Sequence, residues 1–124
     1  MNKISDLPAH KARNLIGQKK ISSTELVKSC IEHYEKHNSN VNAIVAFDTK
    51  DVLDQAKKCD EKVSKGDTLG LLHGLPVGIK DLQMVKNLRS TYGSLLFKDH
   101  IPKHDDNIIK LSLIHISEPT RLHC

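Results

Sequence analysis

The run Leu71–Lys80, LLHGLPVGIK, most limits what this chain can fold into. It is largely apolar, passes through a Gly-Leu-Pro turn, and stops on a lysine with Asp81 directly behind it. A short apolar run bounded by turn residues reads as a β-strand. Pro76 inside it cannot donate to a ladder, so the strand is expected to be irregular or paired on one side only. VNAIVAF, Val41–Phe47, is the other β-rich run and the second expected strand.

The remaining regular segments are helical. Leu7, Ala12, Leu15 and Ile16 predict a short amphipathic helix ending near Gly17. Ser22 and Glu25 form an S-x-x-E capping box, and Leu26, Val27, Cys30, Ile31 and Tyr34 recur at three-to-four spacing. That helix is expected from Ser23 to His37, ending at the turn-prone HNSN. Asp48 or Thr49 caps a third helix carried by Val52, Leu53, Ala56 and Val63 and stopped near Gly66. The stretch Leu82–His104 has no sustained periodicity and reads as a long loop, of the kind that carries function or needs further context. Asp105 or Asp106 caps a last helix. Helix, helix, strand, helix, strand, loop, helix is an α/β order with too few strands to close a sheet.

Composition narrows the partners. The 124 residues suffice for one small domain, but 38% hydrophobic content, 3% aromatics and no Trp make a thin core. The 19 Lys and Arg are scattered among 15 acids, so a net charge of +4 does not predict a nucleic-acid partner. Charges and a proline interrupt the N-terminus, no run approaches the roughly 18–20 apolar residues of a membrane span, and a cytoplasmic location is expected without a membrane partner. Cys30, Cys59 and Cys124 are odd in number and widely spaced, which suggests neither disulfides nor a zinc knuckle; Cys30 reads as a small buried hydrophobe. His33 and His37 have the i,i+4 spacing that can bind zinc, without a third ligand, and read as a solvated face. His100 and His104 share the spacing, but Pro102 argues against a helix there. No metal and no cofactor is expected.

Leu111–Cys124 stands apart. Its first eleven residues, LSLIHISEPTR, match the translation of a transposase-based sequencing adapter, so the segment is expected to be non-native and is set aside in fold reasoning. Residues 1–110 are then the biological part, and the loss of Glu118 and Arg121 leaves the net charge unchanged.

A lysine at a strand end is ordinarily structural, its stem packed and its ammonium in water. Desolvation would lower its pKa toward that of a general base able to take a proton from a serine hydroxyl. Glycines at 74 and 78 would let neighbouring backbone approach closely. HGLPVGIKD followed by RSTYGS resembles the amidase signature family, in which a lysine ends the corresponding strand in a G-[IVL]-P-[VI]-x-[VIL]-K-D motif. SSTELVKSCIEHYEKHNSNVNAIVAF and LFKDHIPKHDDNII resemble the blocks before and after it, and the likeness covers about residues 1–110.

The resemblance implies the N-terminal fragment of an α/β/α fold with a mixed central sheet and a serine–cis-serine–lysine triad. Lys80 would be its catalytic lysine, relaying a proton through the bridging serine to the nucleophilic one. Both serines would lie beyond this chain, so it is expected to be inactive by itself. Thr91–Ser94 would line the site as a post-lysine loop or serve as a plain turn. A small-molecule amide substrate is implied, with no cofactor. STYGS and KDHIPKHDD look more like the general amidases than like the ammonia-supplying component of a tRNA-dependent amidotransferase. Such an amidotransferase component, or a non-catalytic amidase-fold binding protein, is the alternative.

Overall fold

A computed structural model describes residues 3–115 and 120–123, with side chains described for residues 3–112. The elements are α1 (Ala9–Gly17), α2 (Ser23–Val41), α3 (Thr49–Lys65), β1 (Pro76–Ile79), α4 (Asn107–His115) and β2 (Thr120–His123). Short 3-10 turns at Ile4–Asp6 and Leu95–Phe97 complete the regular structure. No helix among the described residues is long and apolar enough to cross a membrane.

The expected caps of α2 and α3 form, while the carboxylates of Asp105 and Asp106, expected to cap the last helix, accept from the Lys86 and Met84 N–H groups. Ser22 Oγ accepts from the Glu25 N–H at 3.0 Å while Glu25 Oε2 accepts from the Ser22 N–H at 2.8 Å, which closes the capping box of α2. Asp48 Oδ1 accepts from the Asp51 N–H and starts α3, and Gly66, with φ 77°, ends it. The apolar stripe of α2 then joins two clusters. Leu26 packs with Ala12, Ile16 and Leu75, and Val27 packs with Val52 and Ala56. Tyr34 meets Phe47 edge to face, their ring centroids 4.8 Å apart.

Three expectations change. α2 continues one turn beyond His37 to Val41 and stops where Asn42 turns left-handed at φ 47°. Val41–Phe47 does not form a strand. Its central peptide groups are taken by side chains: Asn38 donates to the Ile44 carbonyl and accepts from the Ile44 N–H, each at 2.9 Å. Arg89 donates to the Val45 carbonyl at 2.7 Å. β1 is shorter than Leu71–Lys80, because residues 71–74 form a turn fixed from below by His73. That buried imidazole lies 2.9 Å from the Cys59 carbonyl of α3. Pro76 is the first strand residue, the position where its missing N–H is tolerated.

β1 pairs in parallel with β2, from Pro76 opposite Thr120 to Ile79 opposite His123. A parallel pair requires a crossover, and the long loop with α4 provides it. α4 itself runs across the Lys110–Leu111 junction. The described residues thus build α/β structure with a two-stranded sheet, and the mixed central sheet is not represented among them.

Candidate active-site loop

Lys80 follows β1 immediately, and its side chain is exposed. β1 fixes where the lysine leaves the strand. What fixes β1 is the turn before it. Ser23, fully buried at the start of α2, donates from Oγ to the Gly74 carbonyl at 2.6 Å. Gly74 has φ 76°, and a Cβ there would lie 3.2 Å from Ser23 Cβ and Oγ and 3.3 Å from Ile16 Cδ1. The glycine of HGLP is therefore required twice, by backbone angle and by space. Gly78, by contrast, sits exposed within β1.

α2 is itself pinned to α3. The Asp60 carboxylate accepts from the Ser23 N–H at 2.6 Å, the Thr24 N–H at 3.1 Å and the Thr24 hydroxyl at 2.6 Å. A carboxylate on free N–H groups at a helix start is favoured by hydrogen bonding and by the helix dipole. The chain Asp60, Ser23, Gly74, β1 is a continuous support leading to Lys80.

Asp81 organises the other side. Its Oδ1 accepts from the Thr91 N–H at 2.8 Å, and its Oδ2 accepts from the Thr91 hydroxyl. Thr91 opens a tight turn in which the Ser94 N–H donates back to the Thr91 carbonyl at 2.9 Å. Its central residues, Tyr92 (φ 54°) and Gly93 (φ 68°), are both left-handed, as in a type I′ turn. Glycine suits that conformation, whereas a tyrosine adopts it only where surroundings hold it. Those surroundings are aromatic: Tyr92 meets the edge of Phe97 at 5.3 Å and stacks on His100 at 5.9 Å. His100 Nδ1 in turn lies 3.0 Å from the Ser90 carbonyl.

Ser22, Ser23, Ser90 and Ser94 are occupied structurally. Ser90 is buried and donates to the Leu88 carbonyl, and Ser94 accepts from the Leu96 N–H at the start of the 3-10 turn. Ser22 and Ser23 serve α2 as described. His100 and His104 lie outside any helix. Among the described residues no cluster of three or more His, Cys, Asp or Glu could hold a metal ion. Burial pushes the Cys30 thiol up from its ordinary range. It borders a small apolar recess of about 50 Å³ with Val27, Tyr34, Ile44, Phe47 and Pro76. Sequence reasoning singled out Lys80, Asp81 behind it and the Thr91–Ser94 stretch. It missed Asp60, the Ser23–Gly74 contact and His73, for which no local pattern exists.

The described residues share the fold of solved amidase-signature enzymes. A bacterial aryl acylamidase of that class superposes with a TM-score of 0.78 at 21% identity, over 98% of this chain and 24% of the other. Fatty acid amide hydrolase superposes with a TM-score of 0.78 at 22% identity, over 97% of this chain and 21% of the other. The profile of the Amidase family matches residues 25–112, and the chain belongs to that family. A curated relative, the A subunit of glutamyl-tRNA(Gln) amidotransferase from Clostridium botulinum (strain Eklund 17B / Type B), is 38% identical over 100 residues. Those residues are 81% of this chain and 21% of that protein, so the chain spans about a fifth of this relative's length.

Proposed function

We propose that this chain is the first part of an enzyme that hydrolyses carboxylic amides, with Lys80 as the general base of a serine–cis-serine–lysine triad. The observation that carries the reading is the Asp81–Thr91 clamp, anchored on the residue next to Lys80 inside the family-matched segment. In the complete enzyme the two serines come from later sequence. Lys80 accepts a proton from the bridging serine, that serine deprotonates the nucleophile, and an acyl-enzyme forms as ammonia or an amine leaves. Water then hydrolyses the ester. A general base must be shielded from water to lose its own proton near neutral pH. The described residues leave Lys80 exposed, so the shield is later sequence too. Leu95 and Leu96, 88% and 91% exposed, are apolar surface of the kind such a covering layer buries.

The 124-residue chain alone is accordingly inactive and at best marginally folded. Leu111–Cys124 is adapter-derived, a reading supported by LSLIHISEPTR and by a family match that ends at residue 112. Sequencing the locus from an independent library tests it, and the same codons in the genome would overturn it.

The experiment for the lysine is kcat on a simple amide, measured on the full-length gene product. Lys80→Ala should lower kcat by about 10²–10⁴-fold or more, with substrate binding much less affected. Lys80→Arg should fail nearly as badly, because a guanidinium stays protonated. Near-wild-type turnover in Lys80→Arg would overturn the general-base role.

A second reading has its own support in the 38% identity to a component of a glutamyl-tRNA(Gln) amidotransferase. Under it the same lysine chemistry releases ammonia for transfer to a misacylated tRNA. Release of free ammonia from a simple amide, without tRNA or further proteins, favours the hydrolase; dependence on them favours the transferase.

A further inference from the structure

Away from the lysine loop, α2 carries a pair of histidines on solvent. His33 and His37 are both exposed, and their rings lie with centroids 4.5 Å apart at an interplanar angle of 40°. Residues four apart on a helix are neighbours on one face. The helix under them is well fixed, closed by its capping box, tied to α3 through Asp60, and extended past His37 to Val41. Two imidazoles so presented have already lost the backbone freedom that would separate them in an unfolded chain.

We propose that His33 and His37 form a two-imidazole chelate for a divalent transition metal of the nickel, copper and zinc group. Imidazole nitrogen suits these ions, and affinity rises toward copper along the divalent series. The exposed rings need only reorient about their side-chain torsions to aim one nitrogen each at a shared ion, and water fills the remaining positions. The chelate ties one turn of α2 to the next. Because the unfolded chain does not hold the two rings together, the ion stabilises the folded helix.

The test uses the full-length gene product and Ni(II) as the only added metal. One site tighter than the sum of the other histidines is expected in calorimetric titration. His33→Gln and His37→Gln should each weaken that site by about tenfold or more. The double variant Glu35→His with His37→Gln keeps the histidine count but places the pair on different faces, and it should lose the site equally. Wild-type affinity in any of these three variants overturns the proposal, as does a wild-type titration without a distinct site. Two readings on the unaltered chain stand independently of how the variants fold. Ni(II) should raise the thermal midpoint of the helical signal, and it should broaden the ring resonances of His33 and His37 before those of His10, His100 and His104. Uniform broadening of all the histidines overturns the proposal.

Discussion

Asp81 holds Thr91 with both carboxylate oxygens, one on the N–H and one on the hydroxyl, across ten residues of chain. The residue after the candidate base thus fixes where the long loop returns. Asp81→Ala removes both acceptors. Bonds to a charged acceptor contribute about 1.5–3 kcal/mol, and partial exposure places this loss at the lower end. Asn at the same place can accept from the N–H and donate to the hydroxyl, so Asp81→Asn should keep most stability and most turnover. Urea unfolding of the full-length protein, with hydrogen exchange at Thr91, checks the ordering. Equal protection at Thr91 in the alanine variant would remove the clamp from the account.

Gly74→Ala should destabilise by about 1–3 kcal/mol. The new methyl meets Ser23 and Ile16 at 3.2–3.3 Å, and φ 76° strains any L side chain. Gly66→Ala is the control, since the αL angle is nearly the same at φ 77° and no atom lies within 4 Å. The difference between the two variants in denaturant midpoint isolates the packing cost.

Asp60→Ala should cost about 2 kcal/mol, in the upper range for lost helix N-terminal caps, because three donors at the start of α2 lose one acceptor. Asp60→Asn should recover part of this. Equal stability of Asp60→Ala and wild type by thermal unfolding would show that the α2–α3 tie carries no energy.

Cys30 should react slowly with iodoacetamide at neutral pH, because burial disfavours the thiolate that attacks. The same burial sets a sign for stability. The unfolded thiol ionises first as pH rises, so this contribution is complete below the ordinary thiol pKa of about 8.5 and is lost as pH climbs through the raised folded value. Cys30→Ala should show a smaller alkaline loss of stability than wild type. An equal loss would assign the effect to other groups.

Much of this structure was legible in the residues because much of it is local. Ser22 with Glu25, Asp48 with Asp51, and Gly66 at its left-handed angle act across three or four residues, and periodicity marks the faces they position. The motif around Lys80 and Asp81 was equally plain by its resemblance to a family. What Val41–Phe47 becomes was not local. Its β propensity was overridden when Asn38 and Arg89 took its peptide groups, the latter from 44 residues away. Nor could any short window reveal that Asp60 caps a helix 36 and 37 residues earlier, or that Ser23 meets Gly74 across 51. Hydrogen bonds between positions so far apart exist only after the chain has closed those loops. Sequence alone therefore determined the helices, the caps of α2 and α3 and the identity of the lysine behind β1, while tertiary closure decided which carboxylate holds which turn, and so where Lys80 stands.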